Sequence, residues 1–127
     1  MMAVRLKIML ASVVLLPLLP SVSPAADDAP PSYQADPGVY KLLFEDQNFR
    51  VIDAVRKHGE RDKPHSHPTP SIVYFLTDCH DKLYGADGSV RESEQKAGAS
   101  YAVPVIHSHS TENIGTADCH QIFAERK

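Results

Sequence analysis

The sequence predicts an all-β fold, a small sandwich or barrel, on three observations. Apolar runs between Val39 and Ala124 are of strand length and recur at near-regular spacing. Gly, Pro, Asn and Asp gather between those runs, where turns need them. No stretch there sustains the 3.6-residue periodicity of an amphipathic helix.

Residues 27–38, rich in Ala, Pro and Asp, read as a flexible lead-in to a single domain over 39–127. Val39 to Phe44 and Phe49 to Val55 are strands around the turn Glu45-Asp46-Gln47-Asn48. A charged loop, His58 to Pro64, follows. Ser71 to Thr77 is the strongest strand, dense in β-branched and aromatic residues. Alternation turns Ser71, Val73, Phe75 and Thr77 inward and Tyr74 outward. Lys82 to Tyr84 and Ser89 to Gln95 flank Gly85-Ala86-Asp87-Gly88, whose Asp-Gly suits a hairpin. The polar arm from Ser89 to Lys96 has the character of a solvent-facing edge. After the turn Lys96 to Ala99, the segments Tyr101 to Pro104, His107 to Ile114 and Cys119 to Ala124 complete about eight strands.

Two histidine pairs stand out, His65-Ser66-His67 and His107-Ser108-His109. On an extended strand residues i and i+2 share a face, so each pair can aim both rings at one point. Neutral imidazole is a good ligand for several divalent ions. Its ordinary pKa of about 6.5 predicts that an ion held this way is lost below roughly pH 6.

The N-terminus is a targeting signal by composition. Arg5 and Lys7 precede an apolar run from Ile8 to Val22, and small residues follow at Ser23 to Ala26. The run is short for a membrane span. Residues 1–26 are therefore expected to be a signal peptide cleaved near Ala25-Ala26, giving a periplasmic or secreted protein with no membrane attachment afterwards. Losing Arg5 and Lys7 leaves 11 of 13 basic residues against 16 acidic ones, a balance that favours neither nucleic acid nor anionic membrane. The two cysteines, Cys79 and Cys119, are then expected to form a disulfide. A rival reading uses Cys79-His80 and Cys119-His120 as a zinc site.

At Gly59, five residues, then His65-Ser66-His67, the chain resembles the first motif of the cupin superfamily. Gly98, Pro104, His109 and Asn113 fall at the spacings of the second motif. The resemblance spans 59–113 and by extension 39–126. It implies a small jelly-roll β-barrel with a mononuclear metal site. Two positions depart from the pattern: the first motif's glutamate is replaced by Ser71 or Ile72, and the second motif's glycine by Ile106. The resemblance then implies a three-histidine site, His65, His67 and His109, with His107 as a possible fourth ligand by parity. Fe, Zn, Ni, Mn and Cu are not distinguished. Three-histidine sites occur in cupin-like thiol and diketone dioxygenases. The jelly-roll topology also implies that the strand ending near Cys79 runs antiparallel to the one opening near Cys119, placing Thr77 beside Gln121 and Phe75 beside Phe123.

Other residues carry structural readings: Tyr101 as packing, Asn113 as the fixer of a turn, and Arg50 and Arg56 as surface cations rather than substrate anchors. Two functions follow. One is a metal cupin with dioxygenase-like or Lewis-acid chemistry on a small molecule; the other is a metal- or ligand-binding module without turnover, and either is compatible with a homodimer.

Overall fold

β1 (Tyr40–Glu45) and β2 (Phe49–Arg56) open the barrel as a hairpin whose turn is made by Asp46. Its carboxylate accepts the N–H groups of Asn48 and Phe49 at 2.8 and 2.7 Å, the local bond that makes Asp a turn residue. The computed structural model describes residues 27–127; the segment read as a signal peptide lies outside the described residues. The remaining strands are β3 (His65–His67), β4 (Ser71–Phe75), β5 (Cys79–Gly85), β6 (Val90–Gln95), β7 (Ser100–Val103), β8 (Ile106–Asn113) and β9 (Cys119–Arg126). β3, three residues long, is the first histidine pair itself, the extended stretch that the eight strand-length runs did not include.

The strands form two antiparallel sheets, one ordered β1-β2-β9-β4-β7 and the other β3-β8-β5-β6. This is the jelly-roll arrangement that the family resemblance implies. β4 alternates as expected, with Ser71, Val73 and Phe75 buried and Ile72 and Tyr74 exposed. Ile52, Ala54, Val73, Phe75 and Phe123 fill the space between the sheets. Each large apolar side chain buried there contributes about 1.5–3 kcal/mol. Gly59 and Gly98, the glycines that open the two motifs, have φ of 76° and 87°. Any other residue would be strained at those turns.

The lead-in is not free chain. Ser32–Ala35 form a one-turn helix, α1, with Ser32 buried. Pro31 bridges to Ser66, whose N–H donates to the Pro30 carbonyl at 2.9 Å. Ala29 N–H donates to the carbonyl of His107 at 3.0 Å. Residues 29–35 therefore back β3, which explains why a strand of only three residues holds its place.

Cys79 and Cys119 are bonded, with Cα atoms 5.0 Å apart. The bond does not extend the β4–β9 pairing. The register there sets Val73 against Phe123 and Phe75 against Gln121, two residues away from expectation. The chain leaves β4 at Phe75 and turns through Leu76–Asp78, so that Cys79 starts β5 in the other sheet. The Thr77 hydroxyl pins this corner, donating to the Asp118 carbonyl at 3.2 Å and accepting His120 N–H at 2.9 Å. The disulfide thus ties the two sheets together. Cysteine zinc ligation is replaced by this bond, and the neighbouring histidines turn elsewhere, His80 to Glu92 and His120 to Asp53.

Candidate metal centre

Pairing of β3 with β8 sets His65 directly against His109. His65 and His67 are buried and His109 is half-buried. Their ring centroids lie 4.5 to 5.2 Å apart, and one ring nitrogen from each falls within 4.8 Å of the others.

His107 is not brought to this point. It is exposed, and its Nδ1 contacts the Asp28 carboxylate at 2.8 Å. The reason is a bulge: His65 pairs with His109 but His67 pairs with Ile106, so β8 spends one extra residue there. Parity reverses across a bulge. Ile106 and His109 both line the interior, and His107 is left facing out.

The hydrogen bonds assign the nitrogens. His65 Nδ1 lies 2.9 Å from the Lys63 carbonyl, which can only accept, so that nitrogen carries the proton and Nε2 is bare. His67 Nδ1 lies 3.4 Å from Glu125 Oε1, which likewise leaves its Nε2 bare. Nε2 of His109 is buried with no hydrogen-bond partner. Such an orphan is costly in a folded protein, and a cation would satisfy it. Burial pushes the His65 pKa down to about 4, its bond to Lys63 opposing and the nearby His67 adding. Burial also takes His109 to about 2, with His65 and His67 adding to the effect. Both rings are therefore neutral near pH 7, the form that ligates a metal.

Beneath the histidines lies a buried polar network that the sequence reading missed. Tyr40 hydroxyl donates to Asp62 at 2.7 Å, accepts from Arg56 at 3.1 Å and sits 3.3 Å from His65 Nε2. Arg56, expected on the surface, is 2% exposed and reaches Asp81 at 3.0 Å, Gln121 at 3.1 Å and Asp62 at 3.5 Å. It shares the inward parity of Ile52 and Ala54 on β2, which is the signal that pointed to it. Burial raises the pKa of Asp62, with Arg56 and the Thr111 N–H opposing. Arg50 bridges Glu45 and Glu125 at the other edge. Asn113 fixes a turn as expected, donating to the carbonyls of Arg56 and Ala117 and accepting Gly115 N–H. Tyr101 packs on Phe75 at 5.7 Å between centroids.

A cavity of about 340 Å³ reaches His67 and His109, with Arg56 and Asp81 among its walls and Arg91 and Tyr101 from edge strands β6 and β7. Arg91 pairs with Leu83 and Leu83 with Thr111, so the three form one inward row across the sheet. The imidazoles of His67 and His109 thus face a half-open, partly apolar cavity of a size that small molecules occupy.

No family model and no curated protein matches the chain. Solved structures do. A cupin domain from Bordetella pertussis Tohama I is 18% identical with a TM-score of 0.65, and the match covers 80% of this chain and 99% of that one. A double-stranded β-helix protein from Klebsiella pneumoniae is 16% identical at a TM-score of 0.55, covering 69% and 75%. A cupin-like protein from Thermotoga maritima is 22% identical at 0.52, covering 68% and 65%.

Proposed function

We propose that this chain, which has the cupin fold, binds one divalent metal ion through His65, His67 and His109 and holds a small molecule beside it. The observation that carries this reading is the convergence of three imidazoles, one with a buried and unpartnered Nε2. The donor set suits Zn, Fe, Ni, Mn or Cu. A three-nitrogen set leaves coordination positions open, and the bound ion supplies a Lewis acid there.

The chain's own residues select the occupant. The ligands are neutral, so the ion keeps its charge, and Arg91 makes no ion pair among the described residues. Together they favour a small molecule with an anionic group. Arg56 is committed to Asp81 and Asp62, so it shapes the wall rather than recruiting the ligand. The disulfide and the N-terminal composition support an oxidising, exported location.

Titration calorimetry with elemental analysis of purified protein tests the site. One ion per chain is expected, abolished by His109→Ala and retained by His107→Ala. Absence of binding, or binding indifferent to His109, contradicts the reading. Metal identity then separates the two activities: oxygen-consuming iron supports dioxygenase-like turnover, whereas inert stoichiometric zinc supports capture alone.

A further inference from the structure

We infer that Glu125 is the carboxylate of this centre, a positioning residue that fixes the ring of His67 from the neighbouring strand; this rests on the metal reading above. The acid expected at position 71 or 72 is missing, and Ser71 is buried there with a hydroxyl that has no partner. In the β4–β9 register the residue directly opposite Ser71 is Glu125. Directly paired residues project from the same face of a sheet. The carboxylate has thus been supplied one strand over, about 5 Å away across the ladder.

Glu125 is 1% exposed. A carboxylate so deep in a protein costs several kcal/mol unless both oxygens find partners. Oε2 takes Arg50 Nη1 at 3.1 Å, and Oε1 faces His67 Nδ1 at 3.4 Å. Phe123, two residues earlier on the same face of β9, stacks on the His67 ring at 5.1 Å and 25°. The two side chains divide the work. Phe123 sets the plane of the imidazole, and Glu125 sets which edge faces which way.

That second choice matters because a half-turn of the ring exchanges Nε2 for a carbon. With Nδ1–H turned toward Glu125, Nε2 is left as the bare nitrogen that the cluster with His65 and His109 needs. Carboxylate partners of this kind fix the tautomer of a ligating histidine, and their loss typically lowers metal affinity about 10–100-fold. β9 already showed the anomaly in sequence: Cys119, Gln121, Phe123 and Glu125 share the buried parity, and Glu125 is the charged member.

Zinc affinity of the disulfide-intact protein, measured by chelator competition, is the test. Glu125→Gln should bind one zinc 10–100-fold more weakly, while circular dichroism stays that of the parent. The double variant Ser71→Glu, Glu125→Ser, which moves the acid back across the ladder, should recover most of that loss. Affinity within twofold of the parent in Glu125→Gln overturns the inference. A readout independent of variants and of metal is ¹⁵N NMR of the histidine side chains in chelator-treated parent protein. His67 should carry its proton on Nδ1; a proton on Nε2 overturns the inference even if Glu125→Gln does not fold. A parent that binds no zinc but shows the Nδ1 proton defeats the metal reading alone.

Discussion

His65 and His109 are held neutral by burial, and the acid behaviour of the protein follows from that. In the unfolded chain both rings have the ordinary pKa of about 6.5. In the folded chain they lie at about 4 and about 2. Below pH 6.5 the unfolded state takes up protons that the folded state refuses. Their contribution to stability is therefore complete above about pH 6.5 and is lost progressively as pH falls, toward 4 for His65 and on toward 2 for His109. Urea unfolding of metal-free protein should show a midpoint that declines between pH 7 and pH 4.5, by on the order of a few kcal/mol in free energy. A flat profile would contradict the burial of these rings. The same shifts revise the sequence-based expectation for metal release. Protons compete weakly for depressed imidazoles, so zinc should stay bound well below pH 6, and release measured by a fluorescent zinc indicator should centre nearer pH 4 to 5. The three converging histidines were legible because the motif spacing names them. His107 was misplaced because a bulge depends on the partner strand, and Glu125 was missed because the sequence reading traced the missing acid only along its own strand.

Among elements, β2 and β9 show what alternation can and cannot reveal. The strand read as 71–77 was plain from its β-branched and aromatic alternation, and Ser71, Val73 and Phe75 face inward as named. It ends at Phe75, however, and leaves Thr77 at the corner, outside the strand. Arg56 was assigned to solvent by residue type, although its parity on β2 is that of Ile52 and Ala54. Where type and parity disagree, the answer lies in the partners, and Asp81 and Asp62 sit on other strands and loops beyond the reach of local sequence. Replacing Arg56 by Met keeps much of the volume but strands two carboxylates with side chains at most 7% exposed. Breaking a buried pair in this way costs about 3–5 kcal/mol. Chemical denaturation of Arg56→Met should show a loss of that size, and the additional change Asp81→Asn should recover part of it. A loss under about 1 kcal/mol would mean that the network contributes no more than surface pairs do.

Across the whole molecule, the disulfide is the link that the sequence located and the structure re-assigned. Its two cysteines were the obvious pair, but the bond joins the sheets rather than prolonging a strand pair, because β4 ends four residues before Cys79. It closes a separation of 40 residues that includes β8 and His109. Chain entropy assigns such a bridge roughly 4 kcal/mol. Cys79→Ala with Cys119→Ala should lower stability by about 2–4 kcal/mol, seen as a fall in melting temperature, and should weaken zinc binding alongside it. Unchanged melting would show that packing between the sheets suffices.

The placement of β9 bears on how the protein comes to be folded at all. It lies between β2 and β4, so the middle of the five-stranded sheet is supplied by residues 119–126. Arg50 waits 75 residues for Glu125. Closures that long must be made before any contact rewards them, which slows folding. For this sheet, synthesis up to Asp118 supplies only β1 with β2 and β4 with β7, two pairs with no strand to join them. A growing chain therefore cannot complete this sheet early. It stays open until β9 emerges, and the setting of His67 is among the last things assembled.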